Sequence, residues 1–219
     1  MSIDLVISAW ESINVAKREE ASRPLQHETP GSGELILIRH APIAEPGRLC
    51  GRTDLEARIE PARIAALRAS LPAPGALVSS PAQRCRQTAD ALWPERAAVP
   101  DPMLWEQDFG AHDGAPHADL PDLGPLDGPG LAAWTPPGGE SFADLCARVR
   151  PALLNYGRQA EQDAAPVVLV VHAGVIRAAL SQVTGAVHAG LAFEIAHLSV
   201  TRLRCGPEGP FSVIEAGRT

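Results

Sequence analysis

The sequence predicts an α/β fold built on a mostly parallel sheet, and three observations support this prediction. Uninterrupted aliphatic runs at 35–38 and 167–171 are typical of strands that are buried on both faces. Segments with apolar residues at helical spacing follow these runs along the chain. With 45% apolar and 21% charged residues, the 219-residue chain has enough apolar side chains to bury a large core. We therefore expect one domain, residues 34–219.

The first half of the chain contains local signals for each of its elements. Residues 1–33 carry an apolar stripe that ends at Pro and Gly residues, which predicts an N-terminal extension, either helical or mobile. Strands are predicted at 35–38 and 75–79, with a helix at about 60–70 between them. Ser80 followed by a Pro, with Gln83 at the third helical position, predicts a capped helix that runs to about residue 92.

The second half begins with a segment of weak periodicity. Residues 100–137 are rich in Pro, Gly and Asp, which predicts a long excursion over the sheet. Ser141 and Asp144 repeat the capping pattern at the start of an apolar helix. A strand at 167–171 precedes a helix from about Ala173 to Thr184. The tail alternates enough at 199–205 and 211–215 to predict two strands, arranged as a hairpin.

Charge and cysteine content exclude several classes of protein. The formal net charge of −7 argues against broad binding of nucleic acid or of an anionic membrane surface, although a few arginines in one pocket still permit an anionic small substrate. No apolar run approaches the length of a membrane span, and the N-terminus does not resemble a signal peptide. The four cysteines are scattered without a Cys-x-x-Cys pair. We expect a cytoplasmic protein with few disulfides.

Charged and titratable residues follow three predicted strands at the point where each strand ends. Arg39 and His40 come directly after the first strand, Arg84 lies in the first turn of the helix after the second, and His172 follows the strand at 167–171. In an open α/β sheet the ligand crevice lies at the carboxyl ends of the strands. We therefore expect these four side chains to meet at one rim, where helix N-termini add partial positive charge.

Two arginines and two imidazoles at one rim predict an oxyanion site. The planar fork of arginine matches the oxygens of a phosphate group. One imidazole can act as a nucleophile and form a phosphohistidine. Neighbouring arginines disfavour the imidazolium form, so they keep one ring nitrogen free at neutral pH.

Four segments, in the right order, resemble the sequence blocks of the histidine phosphatase (phosphoglycerate mutase-like) superfamily. They are Leu37-Ile38-Arg39-His40, Ser79 to Ala89, Leu104 to Gly114 and Val170 to Arg177. The resemblance covers about residues 34–184 and implies a three-layer α/β/α sandwich that acts on phosphate esters without a metal or other cofactor. It implies that His40 is the nucleophile, that Glu106 is the proton donor and that His172 is the second catalytic histidine. Arg39, Arg84 and His172 are implied to hold the phosphate.

Two further segments, Cys50 to Asp54 and Pro136 to Phe142, resemble the α-ribazole phosphatase-like members, which take part in cobalamin nucleotide-loop assembly. This resemblance implies a small phosphorylated metabolite such as α-ribazole 5′-phosphate as the substrate. Arg52, Thr53 and Ala173 are then candidate substrate contacts. The chain departs from the family pattern at Ala41 and Ala173, which replace glycines, at Glu45-Pro46, where an Asn is frequent, and at His112-Asp113, where Trp-Glu is common.

Two alternative functions stay open at this point: a phosphoglycerate mutase-type phosphotransferase and a non-catalytic phosphate-binding homologue. A loop cluster also suggests a metal site, but its residues share no helical or strand register, so a surface loop is favoured; they are His112, Asp113, His117 and Asp119. Trp105 and Trp134 are candidates either to stack a nucleobase-like ring or to anchor a loop. The sequence does not indicate the oligomeric state.

Overall fold

The computed structural model describes residues 33–219, which contain a six-stranded sheet. Its strands are β1 (Gly33–Arg39), β2 (Ala76–Ser79), β3 (Val99–Pro100), β4 (Val167–Val171), β5 (Val200–Gly206) and β6 (Gly209–Arg218). Their order across the sheet is β3-β2-β4-β1-β5-β6. Strands β1, β2, β3 and β4 are parallel to one another, whereas β5 and β6 are antiparallel additions beside β1. The mostly parallel α/β sheet is therefore confirmed.

Helices cover both faces of this sheet. Side chains alternate between the two faces along each strand, and the central strands present apolar side chains on both faces. Leu35, Leu37 and Leu169 belong to one buried cluster, and Ile36, Ile38 and Val168 belong to the other. Each such side chain contributes roughly 1.5–3 kcal/mol through its burial. The three-layer sandwich is confirmed, with the helices α1 (Pro61–Ala69), α2 (Gln83–Leu92), α3 (Gly128–Ala133), α4 (Phe142–Gln162) and α5 (Ala173–Thr184).

The two predicted helix caps have different outcomes. At α4 the capping box is confirmed: Ser141 Oγ accepts the Asp144 N–H at 3.0 Å, and Asp144 Oδ2 accepts the Ser141 N–H at 3.0 Å. At α2 the predicted Ser80 cap is wrong, since the helix begins at Gln83. The Gln83 N–H instead donates to Asp54 Oδ1 at 2.7 Å. A carboxylate from a distant loop therefore accepts a free N–H group at the N-terminus of α2.

The predicted excursion at 100–137 is confirmed in its main feature, although it holds three short 3₁₀ helices and α3. The C-terminal hairpin is also confirmed as β5 and β6. The predicted N-terminal extension, residues 1–33, lies outside the described residues except for Gly33, the first residue of β1. Across residues 33–219, no helix has both the length and the apolar content that crossing a membrane requires.

Candidate active site

The carboxyl ends of β1, β2 and β4 lie side by side and bring their terminal residues to one rim. The register pairs Arg39 with Val171 and Ser79 with Val170, so the residues that follow each strand are neighbours. The backbone N–H of His40 donates to the carbonyl of Val171 at 2.9 Å. The His40 and His172 rings meet edge to face, with centroids 5.3 Å apart. Parallel pairing therefore brings both histidines together.

His40 presents Nε2 as the nitrogen that carries a lone pair. Its Nδ1 atom lies 2.7 Å from the carbonyl oxygen of Ala41. Because a carbonyl only accepts, Nδ1 carries the hydrogen in this contact. Burial and the nearby charge of Arg84 hold the pKa of His40 well below its usual value. A neutral ring with a free Nε2 is the form that attacks phosphorus.

His172 is completely buried at the N-cap of α5, between groups from other elements. Its Nε2 lies 2.8 Å from Ser80 Oγ, and the Trp105 indole stacks on the ring with centroids 6.4 Å apart. The Arg52 guanidinium lies 5.5 Å from the Trp105 ring centroid. Burial and Arg84 lower the pKa of His172. Trp105, a candidate for stacking a ligand ring, thus already packs on His172 and Arg52.

Arg84 is completely buried and is bound to the loop at 50–54. Its Nη atoms donate to three backbone carbonyls, of Cys50 at 3.3 Å, Gly51 at 2.8 Å and Thr53 at 3.0 Å. Within residues 33–219 its buried Nε has no hydrogen-bond partner. A buried donor without a partner is costly unless a ligand supplies an acceptor.

Arg39 shows the same incomplete pairing at the end of β1. Its Nη1 donates to the carbonyl of Ile195 at 2.5 Å, whereas its buried Nε lacks a partner in the described part of the chain. Burial lowers the pKa of Arg39, which the charge of Glu106 partly offsets. Arg39 and Arg84 therefore each have a buried Nε donor that no acceptor among residues 33–219 uses.

Asp113 explains why the loop at 50–54 holds its shape. Its carboxylate accepts backbone N–H groups of Gly51 at 2.9 Å, Arg52 at 2.6 Å and Thr53 at 3.0 Å. The same loop supplies the carbonyls that bind Arg84. Asp113 therefore holds the N–H groups of the loop, and Arg84 holds its carbonyl groups. Arg52 and Thr53, candidate substrate contacts, lie on this loop, whereas Ala173 lies in the wall of the cavity beside His40.

Glu106 is buried with its carboxylate at the N-terminus of α5. Oε2 accepts the Gly174 N–H at 3.1 Å, and Oε1 accepts the Gln107 N–H at 3.0 Å. A Cβ at position 174 would lie 2.1 Å from Glu106 Oε1, so this close approach requires glycine. Arg148 supports the segment, because its Nη2 donates to the carbonyls of Trp105 at 3.1 Å and Glu106 at 3.2 Å.

A cavity of about 440 Å³ is lined by His40, Arg39 and Glu106 together with apolar side chains. Arg84 and His172 are completely buried and are not among its lining residues. Residues that line it include Phe109, Phe142, Ala173, Gly174, Arg177, Leu191 and His197. The site combines a neutral imidazole, guanidinium donors without a partner in the described part of the chain, and a carboxyl group, which suits transfer of a phosphoryl group to His40.

His197 and Arg177 are among the residues of this cavity that the sequence patterns missed. His197 lies with its ring centroid 5.3 Å from that of His40, and burial lowers its pKa to about 4. Arg177 donates its Nε to the carbonyl of Phe193 at 2.9 Å. Pairing of β5 with β1 brings His197 to the rim, so recognising that β5 is an antiparallel neighbour of β1 would have found it.

The loop cluster around residue 113 has other partners. Asp113 binds backbone N–H groups, and His112 stacks on Trp134 with ring centroids 5.8 Å apart. Among residues 33–219, no group of three or more His, Cys, Asp or Glu side chains is arranged to hold a metal ion.

Comparison with known proteins places these features in a family. A sequence model of the histidine phosphatase superfamily (branch 1) matches residues 35–215. Glucosyl-3-phosphoglycerate phosphatases of two Mycobacterium tuberculosis strains, CDC 1551 / Oshkosh and H37Rv, are 36% identical over 118 residues, which are 47% of this chain and 51% of each relative. The matched stretch thus spans about half the length of these curated relatives.

Solved structures match over more of the chain. The native mycobacterial glucosyl-3-phosphoglycerate phosphatase superposes with a TM-score of 0.73 at 26% identity, covering 86% of this chain and 100% of that chain. A crystal structure of a Thermus thermophilus protein superposes with a TM-score of 0.66 at 29% identity, covering 85% of this chain and 99% of that one.

Proposed function

The chain belongs to the histidine phosphatase superfamily (branch 1), and we propose that it hydrolyses small phosphomonoesters, without a metal ion, through a phosphohistidine formed on His40. One observation carries this proposal: His40 is buried and neutral with a free Nε2, and the nearby Arg39 and Arg84 each have a buried Nε that finds no hydrogen-bond partner within residues 33–219. The catalytic domain would comprise residues 34–219.

In the first chemical step, Nε2 of His40 bonds to phosphorus while the bond from phosphorus to the ester oxygen breaks. Arg39, Arg84 and His172 stabilise the phosphoryl oxygens, and the N-terminus of α5 adds partial positive charge. Glu106 in its carboxylic acid form gives its proton to the leaving oxygen. The products of this step are the free alcohol and phosphohistidine.

In the second step, water attacks the phosphohistidine and the bond from phosphorus to His40 breaks. Glu106, now a carboxylate, takes a proton from the attacking water and returns to its acid form. Inorganic phosphate leaves, and His40 regains its lone pair. The cavity above the site has room for the alcohol part of the ester, since its volume is about 440 Å³.

Two substrates merit direct comparison. The resemblance of residues 50–54 and 136–142 to α-ribazole phosphatase-like proteins supports α-ribazole 5′-phosphate, which would place the enzyme in cobalamin biosynthesis. The 36% identical relatives support glucosyl-3-phosphoglycerate instead. The cytoplasmic location remains a prediction from the sequence.

The test is phosphate release from p-nitrophenyl phosphate, α-ribazole 5′-phosphate, 3-phosphoglycerate and glucosyl-3-phosphoglycerate, with kcat/KM measured for each. Denaturation during turnover of a labelled substrate should trap acid-labile label on the protein. Conversion of labelled 3-phosphoglycerate to 2-phosphoglycerate would indicate a mutase. Failure to release phosphate from all four compounds would indicate a non-catalytic homologue.

A further inference from the structure

Arg177 extends the charged lining of the cavity beyond the groups that the reaction needs. It lies four residues after Ala173 on α5, and both residues line the cavity, as expected for neighbours on one helix face. Its Nε is held by the carbonyl of Phe193. Within residues 33–219 no acidic side chain forms an ion pair with Arg177. Its two terminal nitrogens therefore remain available to a ligand.

Among the residues that line the cavity, three are arginines and one, Glu106, is acidic. Arg39 lines the same cavity, and the charge of Arg177 is one cause of the lowered pKa of Arg39. Glu106 lines the same cavity, but its oxygens already accept two backbone N–H groups. Arg48, the other arginine of the lining, lies 3.5 Å from a carboxylate oxygen of Glu45.

Resting on the proposed function, we infer that Arg177 binds a carboxylate of the substrate, so that phosphate esters of hydroxy acids are the preferred substrates. The two terminal nitrogens of a guanidinium match a planar carboxylate in a bidentate pair. The same fork also matches a phosphate group, so the test below compares two esters that differ only in the carboxylate. The apolar side chains of Phe142 and Leu191 line the same cavity and strengthen such a pair by limiting water.

The separation along α5 fits a short acid. Arg177 lies about one helical turn, roughly 5.4 Å along the axis, beyond the helix N-terminus that faces the phosphate site. A three-carbon acid esterified on its terminal hydroxyl places its carboxylate at a comparable distance from phosphorus. α-Ribazole 5′-phosphate carries no carboxylate, so the inference distinguishes the two candidate substrates.

The test compares 3-phosphoglycerate with glycerol 3-phosphate. Both are esters of a primary hydroxyl, and they differ in carrying a carboxylate or a hydroxymethyl group. The wild-type protein should show the higher kcat/KM for 3-phosphoglycerate. Arg177→Met should lower the ratio of the two kcat/KM values by about 10- to 100-fold, as expected for a charge-assisted hydrogen-bonded pair. Arg177→Lys should restore part of the ratio.

Arg150→Gln is the matched control, because Arg150 lies on α4 beside a different groove and is exposed. It should leave both kcat/KM values unchanged. D-Glycerate should inhibit the wild-type protein more strongly than Arg177→Met, whereas glycerol should not discriminate between them. Equal rates of the wild-type protein on the two esters, or equal losses on both in Arg177→Met, would overturn the inference. Absence of turnover of any ester, p-nitrophenyl phosphate included, would instead overturn the proposed function.

Discussion

The hydroxyl oxygen of Ser80 lies 2.8 Å from Nε2 of His172, which joins the end of β2 to the N-cap of α5. The Sγ atom of Cys85, on α2, lies 3.5 Å from the same nitrogen. Contacts from two neighbouring elements therefore restrict the His172 ring before substrate binds. A group held in place at no further entropic cost is the kind of preorganised partner that phosphoryl transfer requires.

Substitution His40→Ala should abolish phosphatase activity, with a loss of at least about 10³-fold in kcat, because it removes the nucleophile. The far-ultraviolet circular dichroism spectrum should be unchanged, since His40 follows β1 rather than filling either apolar cluster. His188→Ala, at an exposed histidine, is the control and should retain activity. Near-wild-type turnover by folded His40→Ala would show that the phosphohistidine mechanism is wrong.

Glu106→Gln should affect alkyl phosphates much more than p-nitrophenyl phosphate. A sugar hydroxyl needs a proton to leave, whereas p-nitrophenolate hardly does, and a general acid contributes about 10²–10⁴-fold. Arg84→Ala should slow both substrates, because it removes charge stabilisation that both share. Pre-steady-state bursts with both substrates provide the measurement.

Arg39→Ala is a second variant that removes a phosphate-binding arginine of the proposed site. It complements Arg84→Ala because Arg39 does not bind the carbonyls of the loop at 50–54 as Arg84 does. Like Arg84→Ala, it should slow the formation of phosphohistidine from alkyl phosphates and from p-nitrophenyl phosphate alike. If Glu106→Gln slows phosphohistidine formation equally with the two kinds of substrate, Glu106 has a role in binding or structure, and another residue is the acid.

Stability should fall as the pH falls from about 7 to 4. The pKa of His197 is about 4, and those of His40 and His172 are well below 6.5, because burial disfavours their charged forms. Between the folded and unfolded pKa values the unfolded chain binds protons that the folded protein does not, so the free energy of unfolding rises with pH in this window. Above about pH 7 these histidines contribute no further slope.

Urea unfolding of His197→Gln at several pH values tests this dependence. The variant should show a shallower loss of stability with acid, by up to one proton, than the wild-type protein. His188→Gln, at an exposed histidine, is the control. An equal or steeper slope in His197→Gln than in the wild-type protein would contradict the lowered pKa of His197.

EDTA should leave turnover unchanged, whereas vanadate should inhibit it. The proposed mechanism uses only side chains, and vanadate adopts the trigonal-bipyramidal geometry of in-line transfer. Steady-state rates of p-nitrophenyl phosphate hydrolysis after dialysis against EDTA provide the measurement. Strong inhibition that zinc reverses would instead support a metal site at His112 and His117.

Asp113→Asn should weaken phosphate binding without touching the site directly. The amide keeps one acceptor oxygen but loses the other, so part of the support for the loop at 50–54 is lost. We expect a destabilisation of about 1–3 kcal/mol and a higher inhibition constant for inorganic phosphate. Asp119→Asn, at an exposed carboxylate in the same segment, is the control. An unchanged inhibition constant for phosphate in a destabilised Asp113→Asn would show that phosphate binding by Arg84 does not depend on this loop.

Periodic and local patterns in the sequence determined the framework. The aliphatic runs at 35–38 and 167–171 predicted β1 and β4, because strands buried on both faces have no polar alternation. Ser141 and Asp144 predicted the start of α4, because both partners of a capping box lie within one turn. The position of His40 and His172 at strand ends followed from the same patterns, and parallel pairing placed them together.

Only the tertiary structure decided where the polar side chains bind. Ser80 was expected to cap α2, yet its hydroxyl lies against His172, 92 positions along the chain, while Asp54 binds the N–H of Gln83. His197 and Arg177 reach the cavity through the placement of β5 and the turn of α5. Buried apolar residues recur in the sequence at the period of the helix or strand that carries them, so the sequence alone reveals them. A single hydrogen bond contributes only about 1 kcal/mol net, so its partner depends on which distant groups the fold brings within about 3 Å.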